Sequence, residues 1–443
     1  MNFSSQVTTL ESSKEAQAMA VYQTAHQKFI NKRNQHLQKQ TAKRKATIFD
    51  CSPEQAKEQN LTIEDYFAQI IQAAIIEKHQ QHHLVDIATG KHVSFGVVRV
   101  ANIKPCIALT RKLLNAKWPE NTEIRAMAYH SQQVLIMRNE QEKHLDSVLK
   151  RTATNTKHTL NNPQIRAHLK AIDAPNVIFI LVATPVEEVG RDHDFDWAVV
   201  EPSSYRSFIQ LAGRIMRHRE LASALAASNM ALLQFNLKGL NGKDVVFNRP
   251  GYESNENRLV THDLKQLVDI EAMATRLDAT ARITKPETLQ PKNSLVDLEH
   301  HCIQQLLTHY SQQGPESLSG WITSCWWLTG EPQQYVQFRK GTPELTLFLI
   351  PEDDSFKFKE KDRWGEWIGK ESAYGIVHEE HLTELEKQRL WLWRDYRVLL
   401  ENSPKSDLQE AAQAYGEANF PTYGKNPNDL KYSYSSQFGL QET

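Results

Sequence analysis

The chain holds 443 residues, 40% hydrophobic and 24% charged, with a formal net charge of −1. That length suits two or three globular domains, and the neutral balance excludes recognition of nucleic acid by bulk charge, leaving only a local patch. Four scattered cysteines (Cys51, Cys106, Cys302, Cys325) without a C-x-x-C exclude a disulfide framework and the usual zinc spacings, and no apolar run approaches the roughly 18 residues of a membrane span.

The opening MNFSSQVTTLESSKEAQ has neither the basic start nor the apolar core of a secretory signal, so a cytoplasmic protein without a membrane partner is expected. Residues 10–45 read as one or two polar helices. Within them KFINKRNQHLQKQTAKRK is basic; a solvated helix face is the preferred reading and contact with a phosphate backbone the other. IEDYFAQIIQAAIIEKHQ is an amphipathic helix. The histidines at its end, His79, His82 and His83, lack a frame of carboxylates or cysteines, so they are expected at the surface and no metal site is assigned. An N-terminal helical segment thus covers 1–79.

From about residue 93 the pattern changes. The apolar runs VSFGVVRVANI, EIRAMAYH, NVIFILVAT, WAVVEP and MALLQFN alternate with the helical stretches IKPCIALTRKLLNA and QQVLIMRNEQEKHLDSVLKR. Strands apolar on both faces, alternating with helices, predict an α/β domain with a parallel sheet covered by helices, here 80–240. NGKDVVFNRPGYESNEN is rich in Gly, Asn and Pro, reads as a linker or an insertion, and opens a linker and helical region, 241–319. The remainder, 320–443, is expected to be a smaller α+β domain. It carries seven of the nine tryptophans, Trp321, Trp326, Trp327, Trp364, Trp367, Trp391 and Trp393. An aromatic core is the preferred reading, stacking on unpaired bases the other. QYVQFRKGTPELTLFLIPEDDSFKFKEK predicts strand–turn–strand, and HLTELEKQRLWLWRDYRVLLEN one amphipathic helix.

Two stretches carry the chemistry. In VATPVEEVGRDHDFDWAVVEPSSY the chain leaves a buried strand at Thr184, and ligands of open parallel sheets bind beyond the carboxyl ends of strands. A hydroxyl there can meet a phosphate, Gly190 admits a close backbone approach, and the Asp192 carboxylate can accept from ribose hydroxyls. In SFIQLAGRIMRHR, at 100° per residue, Gln210, Arg214 and Arg217 share one helix stripe while Phe208, Leu211 and Ile215 face the core. Gly213 costs such a helix about 1 kcal/mol against alanine and lets something approach the backbone. An isolated arginine pair of this kind is most often a solvated basic face.

Together the stretches resemble the second RecA-like domain of superfamily 2 helicases: ATxxxExGxD resembles motif V and QLAGRIMRHR resembles motif VI. The resemblance implies a RecA-like parallel sheet, with Arg217 as the arginine finger on ATP held by a partner domain and Arg214 beside it. It implies Gln210 near the nucleotide and the attacking water, Gly190, Asp192 and Gly213 on the nucleotide, and Thr184 on the nucleic-acid backbone. FGVVRVANI, with Arg99 and Asn102, resembles motif IV, and AYHSQQVLIMR offers His130, Ser131 and Arg138 as further nucleic-acid contacts. Guanidiniums placed on a transferring phosphoryl group bring large rate factors.

The wording GVVRVANIKPC, then YHSxxxxxxR, then ATPVEEVGRDHDFDWAVVEPSSYRSFIQLAGRIMRHR is similar to the CRISPR-associated helicase–nuclease of type I-F systems, over most of the chain, as its C-terminal part. That resemblance implies single-stranded DNA and an RNA-guided surveillance complex as partners, with ATP and magnesium as cofactors. The chain has no G-x-x-x-x-G-K-[ST] cradle for the phosphates: ATGKH, NGKDV, IGKES and YGKNP all lack it. It also has no Asp-Glu dipeptide for magnesium and no recognisable HD cluster. The first RecA-like domain and the HD nuclease are therefore expected on an N-terminal half, and this chain is expected to be inactive alone. The alternative is a non-catalytic module that binds single-stranded DNA or the surveillance complex. A fragment of a general RNA helicase is a third, lesser reading.

Overall fold

The computed structural model describes residues 15–151, 158–221, 223–284, 286–308, 330, 343–379, 382–422, 426 and 429–443. Its first sheet takes β1 (Ala46–Phe49), β2 (Leu84–Val85), β3 (His92–Arg99), β4 (Thr122–Tyr129), β5 (Asn176–Ala183), β6 (Trp197–Val200) and β7 (Met230–Leu233) in the order β1-β7-β6-β3-β5-β4, with β2 paired antiparallel to the start of β3. Every pairing along that path is parallel. The cause is visible in β5, NVIFILVA. Val177, Phe179, Leu181 and Ala183 enter one core while Ile178, Ile180 and Val182 enter the other, so helices must cover both faces. Those helices are α2 (Pro53–Glu58), α3 (Ile63–His82), α4 (Ile103–Asn115), α5 (Leu135–Leu149), α6 (His158–Asn161), α7 (Pro163–Ala171) and α8 (Tyr205–Ala212); α1 (Glu15–Lys39) precedes them and, among the described residues, adds none to either core. The α/β class holds.

Two expectations for the N-terminal part are corrected. The sheet does not begin at residue 80, because β1 pairs with β7 from Ala46↔Met230 to Phe49↔Leu233, inside the stretch assigned to a helical segment. Four residues beside two lysines gave too weak a strand signal. The histidines of α3 are not at the surface either. His79 and His82 are buried, His79 Nδ1 lying 2.8 Å from Ser94 Oγ and His82 Nε2 2.9 Å from the Ser228 carbonyl. Burial pushes His79 down to about 4.

After β7 come α9 (Leu237–Leu240), α10 (Leu264–Leu267), α11 (Ile270–Thr275), α12 (Thr280–Ile283) and α13 (Leu295–Thr308). Of the two readings of 241–257, an insertion describes it and a linker does not, because the stretch is a packed loop. The buried Glu253 carboxylate accepts from the amides of Val246 (2.7 Å), Phe247 (2.8 Å) and Leu259 (3.1 Å), and Val246 and Phe247 join the core.

The C-terminal unit has a four-stranded sheet from β8 (Glu344–Glu352), β9 (Ser355–Lys361), β10 (Trp367–Gly369) and, across the chain, β12 (Glu417–Pro421). A smaller sheet pairs β11 (Ile376–His378) with β13 (Tyr432–Ser435) and β14 (Gly439–Glu442). The strand–turn–strand expected around 344–361 is the β8–β9 pair; its start, with Trp321, Trp326 and Trp327, lies outside the described residues. The single helix expected at 381–402 is two, α14 (Glu384–Arg389) and α15 (Tyr396–Glu401), with α16 (Leu408–Tyr415) beyond. The break has a cause. The Trp391 amide donates to the Ala126 carbonyl at 3.0 Å, and the Trp391 ring enters the core of the first sheet beside Phe95 and Phe179. The aromatic-core reading holds for Trp391 (1% exposed) and fails for Trp364 (73%) and Trp393 (56%).

Candidate functional site

Parallel pairing sets the carboxyl ends of β3, β4 and β5 side by side at Arg99, Tyr129 and Ala183. Thr184 follows directly, its amide donating to the Tyr129 carbonyl at 3.1 Å. Its hydroxyl makes no hydrogen bond among the described residues, and the residue is 5% exposed. One 3-10 turn (Pro185–Glu187) then leads to Glu188, whose carboxylate accepts from Arg99 Nε at 2.7 Å and from the Ser207 hydroxyl of α8. Gly190 has φ +77°, a left-handed conformation that favours glycine, with open space where a Cβ would stand.

The arginine segment is not helical, which corrects the shared stripe. Helix α8, capped by Ser204 Oγ on the Ser207 amide (3.1 Å), ends at Ala212. Gly213 closes it with ordinary right-handed angles (φ −61°) and its own helix carbonyls close by, so its position marks the helix end. The next residues run alongside the 192–196 segment. The Phe195 amide donates to the Arg214 carbonyl (2.9 Å) and the Met216 amide to the Phe195 carbonyl (3.0 Å). Met216 turns the chain at φ +46°, a conformation that costs a non-glycine residue on the order of 1 kcal/mol.

Three arginines follow three fates. Arg214 is buried and donates to the carbonyls of Glu187 (3.4 Å) and Glu188 (3.1 Å), so it clamps the loop after β5 and does not stand beside Arg217 in solvent. Arg217 keeps 34% of its side chain exposed, with Nε 2.8 Å from Asp192 Oδ1; His218 Nε2 meets the same oxygen at 2.8 Å. Arg219 is buried, with Nη2 2.8 Å from Asp194 Oδ1 and Nη1 2.6 Å from Asp196 Oδ1. Asp196 also takes Arg151 Nη1 at 2.7 Å and the Phe95 amide at 2.7 Å. Burial pushes the Asp196 carboxyl up; the guanidiniums of Arg151 and Arg219 outweigh it and hold the group below the usual range. Burial lowers Arg44, whose Nε donates to the Ile215 carbonyl at 2.9 Å; Asp194 opposes that shift and the Arg217 charge adds to it.

The nucleic-acid residues separate. Arg99 is 0% exposed, spent on Glu188 and the Glu201 carbonyl (2.9 Å), and so is turned away from any solvent-side strand. His130 is fully buried too, its Nε2 2.8 Å from the Phe438 carbonyl of the C-terminal unit. Asn102 stays exposed at the start of α4 with its side chain free of a capping bond, and Ser131 is exposed. Arg138 is partly exposed, 3.7 Å from Glu142. Gln210 is half-buried at the end of α8 and makes no side-chain hydrogen bond among the described residues.

Sequence reasoning missed the buried partners. Glu187 Oε1 sits 2.7 Å from His193 Nδ1, and Arg191 pairs with Glu142. Asp194, Asp196, Arg151 and Arg219 form the cluster described above. The signal was present: D-H-D-F-D over 192–196 and R-H-R over 217–219 both alternate with period two, the pattern of paired extended segments. Among the described residues no group of three or more His, Cys, Asp or Glu could hold a metal ion, and no helix is long and apolar enough to cross a membrane.

The loop leaves the carboxyl end of β5, and the arginine segment pairs with the chain immediately before β6, at Phe195↔Ile215, within a parallel α/β sheet. Residues 92–220 match the family described as CRISPR-associated nuclease/helicase Cas3, C-terminal. The chain is 33% identical over 435 residues to the CRISPR-associated nuclease/helicase Cas3 subtype I-F/YPEST of Pseudomonas aeruginosa (strain UCBPP-PA14), covering 96% of this chain and 39% of that protein. It is 35% identical over 350 residues to the protein of that description from Pectobacterium atrosepticum, covering 77% and 31%. A solved structure of T. fusca Cas3-AMPPNP aligns over 91% of this chain and 43% of its own, at 11% identity and a TM-score of 0.38. The chain corresponds to a C-terminal part of the type I-F Cas3 helicase–nuclease, and it spans 39% and 31% of these two relatives.

Proposed function

We propose that this chain supplies the arginine-bearing half of the nucleotide site of a DNA-translocating motor of CRISPR type I-F interference. The observation that carries the reading is the contrast among neighbours. Arg214 and Arg219 are buried, held by loop carbonyls and by two buried carboxylates respectively, whereas Arg217 is a third exposed, and its only ion-pair partner among the described residues is a carboxylate nearly half-exposed itself. The chain's residues fit one side of ATP. Arg217 would lie on the γ-phosphate, and the open left-handed turn at Gly190 and the Asp192 carboxylate would lie on the sugar side. The sequence has neither a G-x-x-x-x-G-K-[ST] cradle nor an Asp-Glu pair for magnesium, and this reading assigns both to the first RecA-like domain of an N-terminal half. ATP with magnesium would supply the phosphoryl transfer. Arg217 would leave Asp192 and place its charge on the transferring group, while the ladder from Phe195 to Ile215 and the Arg214 clamp fix its backbone.

Exposed Asn102 and Ser131, Arg138 and the free hydroxyl of Thr184 would face single-stranded DNA delivered by the surveillance complex. The test is ATP turnover by the chain joined to an N-terminal half bearing the cradle. Arg217→Ala is expected to lower kcat by about a thousandfold or more, and unchanged turnover would overturn the assignment. One observation favours a second reading, a non-catalytic DNA-binding module: the sequence has no G-x-x-x-x-G-K-[ST]. Failure of every such pairing to hydrolyse ATP, with salt-sensitive strand binding retained, would select it.

A further inference from the structure

Helix α1 is held by one narrow stripe. From residue 20 to 40 only Ala25, Ile30, Asn34 and Leu37 are less than exposed, and the last three fall at i, i+4 and i+7, the spacing of a single helix seam. Asn34 Nδ2 donates to Thr284 Oγ1 (3.0 Å), and Arg276 caps the far end on the carbonyls of Leu37 (2.7 Å) and Gln40 (2.6 Å). Every other residue from 20 to 39 is exposed. A helix that is polar nearly all round needs side-chain ion pairs or a partner to justify its length, and among the described residues from 20 to 39 α1 has no ion pair. Between His26 and Lys45 the sequence has seven Lys and Arg and no Asp or Glu. Among the described residues Lys28, Lys32, Arg33 and Lys39 make no ion pair. In a chain of net charge −1, this is an uncompensated local excess of positive charge.

The excess is ordered. At 100° per residue Lys28, Lys32, Gln35 and Lys39 lie within about 60° of one another, a straight row about 16 Å long. Tyr22, His26 and Phe29 form a second row on the flank. Tyr22 and His26 stack with ring centroids 5.5 Å apart, Arg33 lies 5.1 Å over Phe29, and Tyr22 and Phe29 are exposed. A row of free cations matches a phosphodiester backbone, and exposed rings beside it match unpaired bases. A duplex would offer the phosphates without the base faces.

We infer that α1 is a binding surface for single-stranded DNA, its lysine row on the phosphates and Tyr22 and Phe29 against the bases. The choice of DNA over RNA rests on the function proposed above; the surface itself does not.

The experiment is fluorescence anisotropy of the full chain with a labelled 30-nucleotide oligothymidylate, over a range of sodium chloride concentrations. No nucleotide or second motor domain is present, so a wrong assignment of Arg217 leaves the result unaffected. Each phosphate neutralised on a single strand contributes about −0.7 to the slope of log K against log salt. The triple variant K28Q/K32Q/K39Q is therefore expected to flatten the slope by about 2 and to weaken binding about a hundredfold at 0.1 M salt. All three side chains are exposed, so the fold should persist, and an unchanged circular dichroism spectrum checks it. Y22S/F29S is expected to weaken binding at an unchanged slope. An unchanged slope in the triple variant overturns the inference, as does duplex DNA binding as tightly as the single strand. An oligouridylate bound more tightly than the oligothymidylate overturns the choice of DNA.

Discussion

Arg217 Nε and Asp192 Oδ1 lie 2.8 Å apart, joining the two segments that the sequence separates by about a helix and a strand. Both side chains are between a third and a half exposed. Such a pair contributes at most about 1 kcal/mol to stability. Arg217→Ala and Asp192→Asn are therefore expected to shift the urea midpoint of the isolated chain by no more than that amount. In the assembled motor they should diverge: the alanine abolishes turnover, while the asparagine releases the guanidinium and leaves kcat within about tenfold. A large loss of stability in either variant would contradict the exposed, displaceable pairing.

Two residues on, the same kind of substitution should behave differently. Arg219 is buried between Asp194 and Asp196, and Asp196 also bonds Arg151 and the Phe95 amide. Removing one member leaves buried charge unpaired, which costs about 3–5 kcal/mol. Arg219→Ala is expected to lose stability on that scale, measured by urea unfolding followed by tryptophan fluorescence, since Trp197 begins the strand next to Asp196. A loss below 1 kcal/mol would mean that the cluster does not fix the ladder beside Arg217.

The contrast explains how much was legible. The β5 run NVIFILVA needs no tertiary information, because a stretch of seven apolar residues with turn residues on either side has few other solutions. RIMRHR is different. Its arginines fit a helical stripe at 214 and 217 and an extended one at 217 and 219, and local spacing does not choose between them. The choice is made by Asp192, Asp194 and Asp196, some twenty residues upstream. Arg99 and His130 were read as nucleic-acid contacts for the same reason. Their partners, Glu188 and the Phe438 carbonyl, lie 89 and 308 residues away, and no local pattern announces them.

The second of those partners belongs to a latch. Arg394 is buried without a carboxylate, donating to Gln133 Oε1 (3.1 Å), the Met137 carbonyl (3.1 Å), Gln141 Oε1 (3.2 Å) and the Gln437 carbonyl; burial takes it down to about 10. Beside it Gly439 has φ +77°, and a Cβ there would strike the Gln132 carbonyl. Gly439→Ala pays for both strain and collision. It is expected to destabilise the joint by roughly 2–4 kcal/mol and to raise hydrogen exchange in 130–141 and 436–440 while β3 and β5 stay protected. Uniform exchange throughout the chain would show that the C-terminal unit and the sheet unfold together.

Buried histidines set the acid response. His79, His130 and His144 are each pushed down to about 4, chiefly by burial. His130 shows why in geometry. Its Nε2 donates to the Phe438 carbonyl and its Nδ1 accepts from the Gln132 amide at 3.2 Å, so a second proton would break the latter bond. The unfolded chain takes up these protons near pH 6.5 and the folded chain near pH 4, so stability is full above about pH 7 and falls as pH drops from 6.5 towards 4. Between pH 7 and pH 5 each such histidine is expected to cost about 2 kcal/mol. Depressed carboxylates such as Asp196 contribute below that window, where the unfolded acid protonates. His130→Gln keeps a donor for Phe438, and it should remove about one histidine's share of the decline between urea midpoints at pH 7 and pH 5. An equal decline in parent and variant would mean that His130 is already charged in the folded chain.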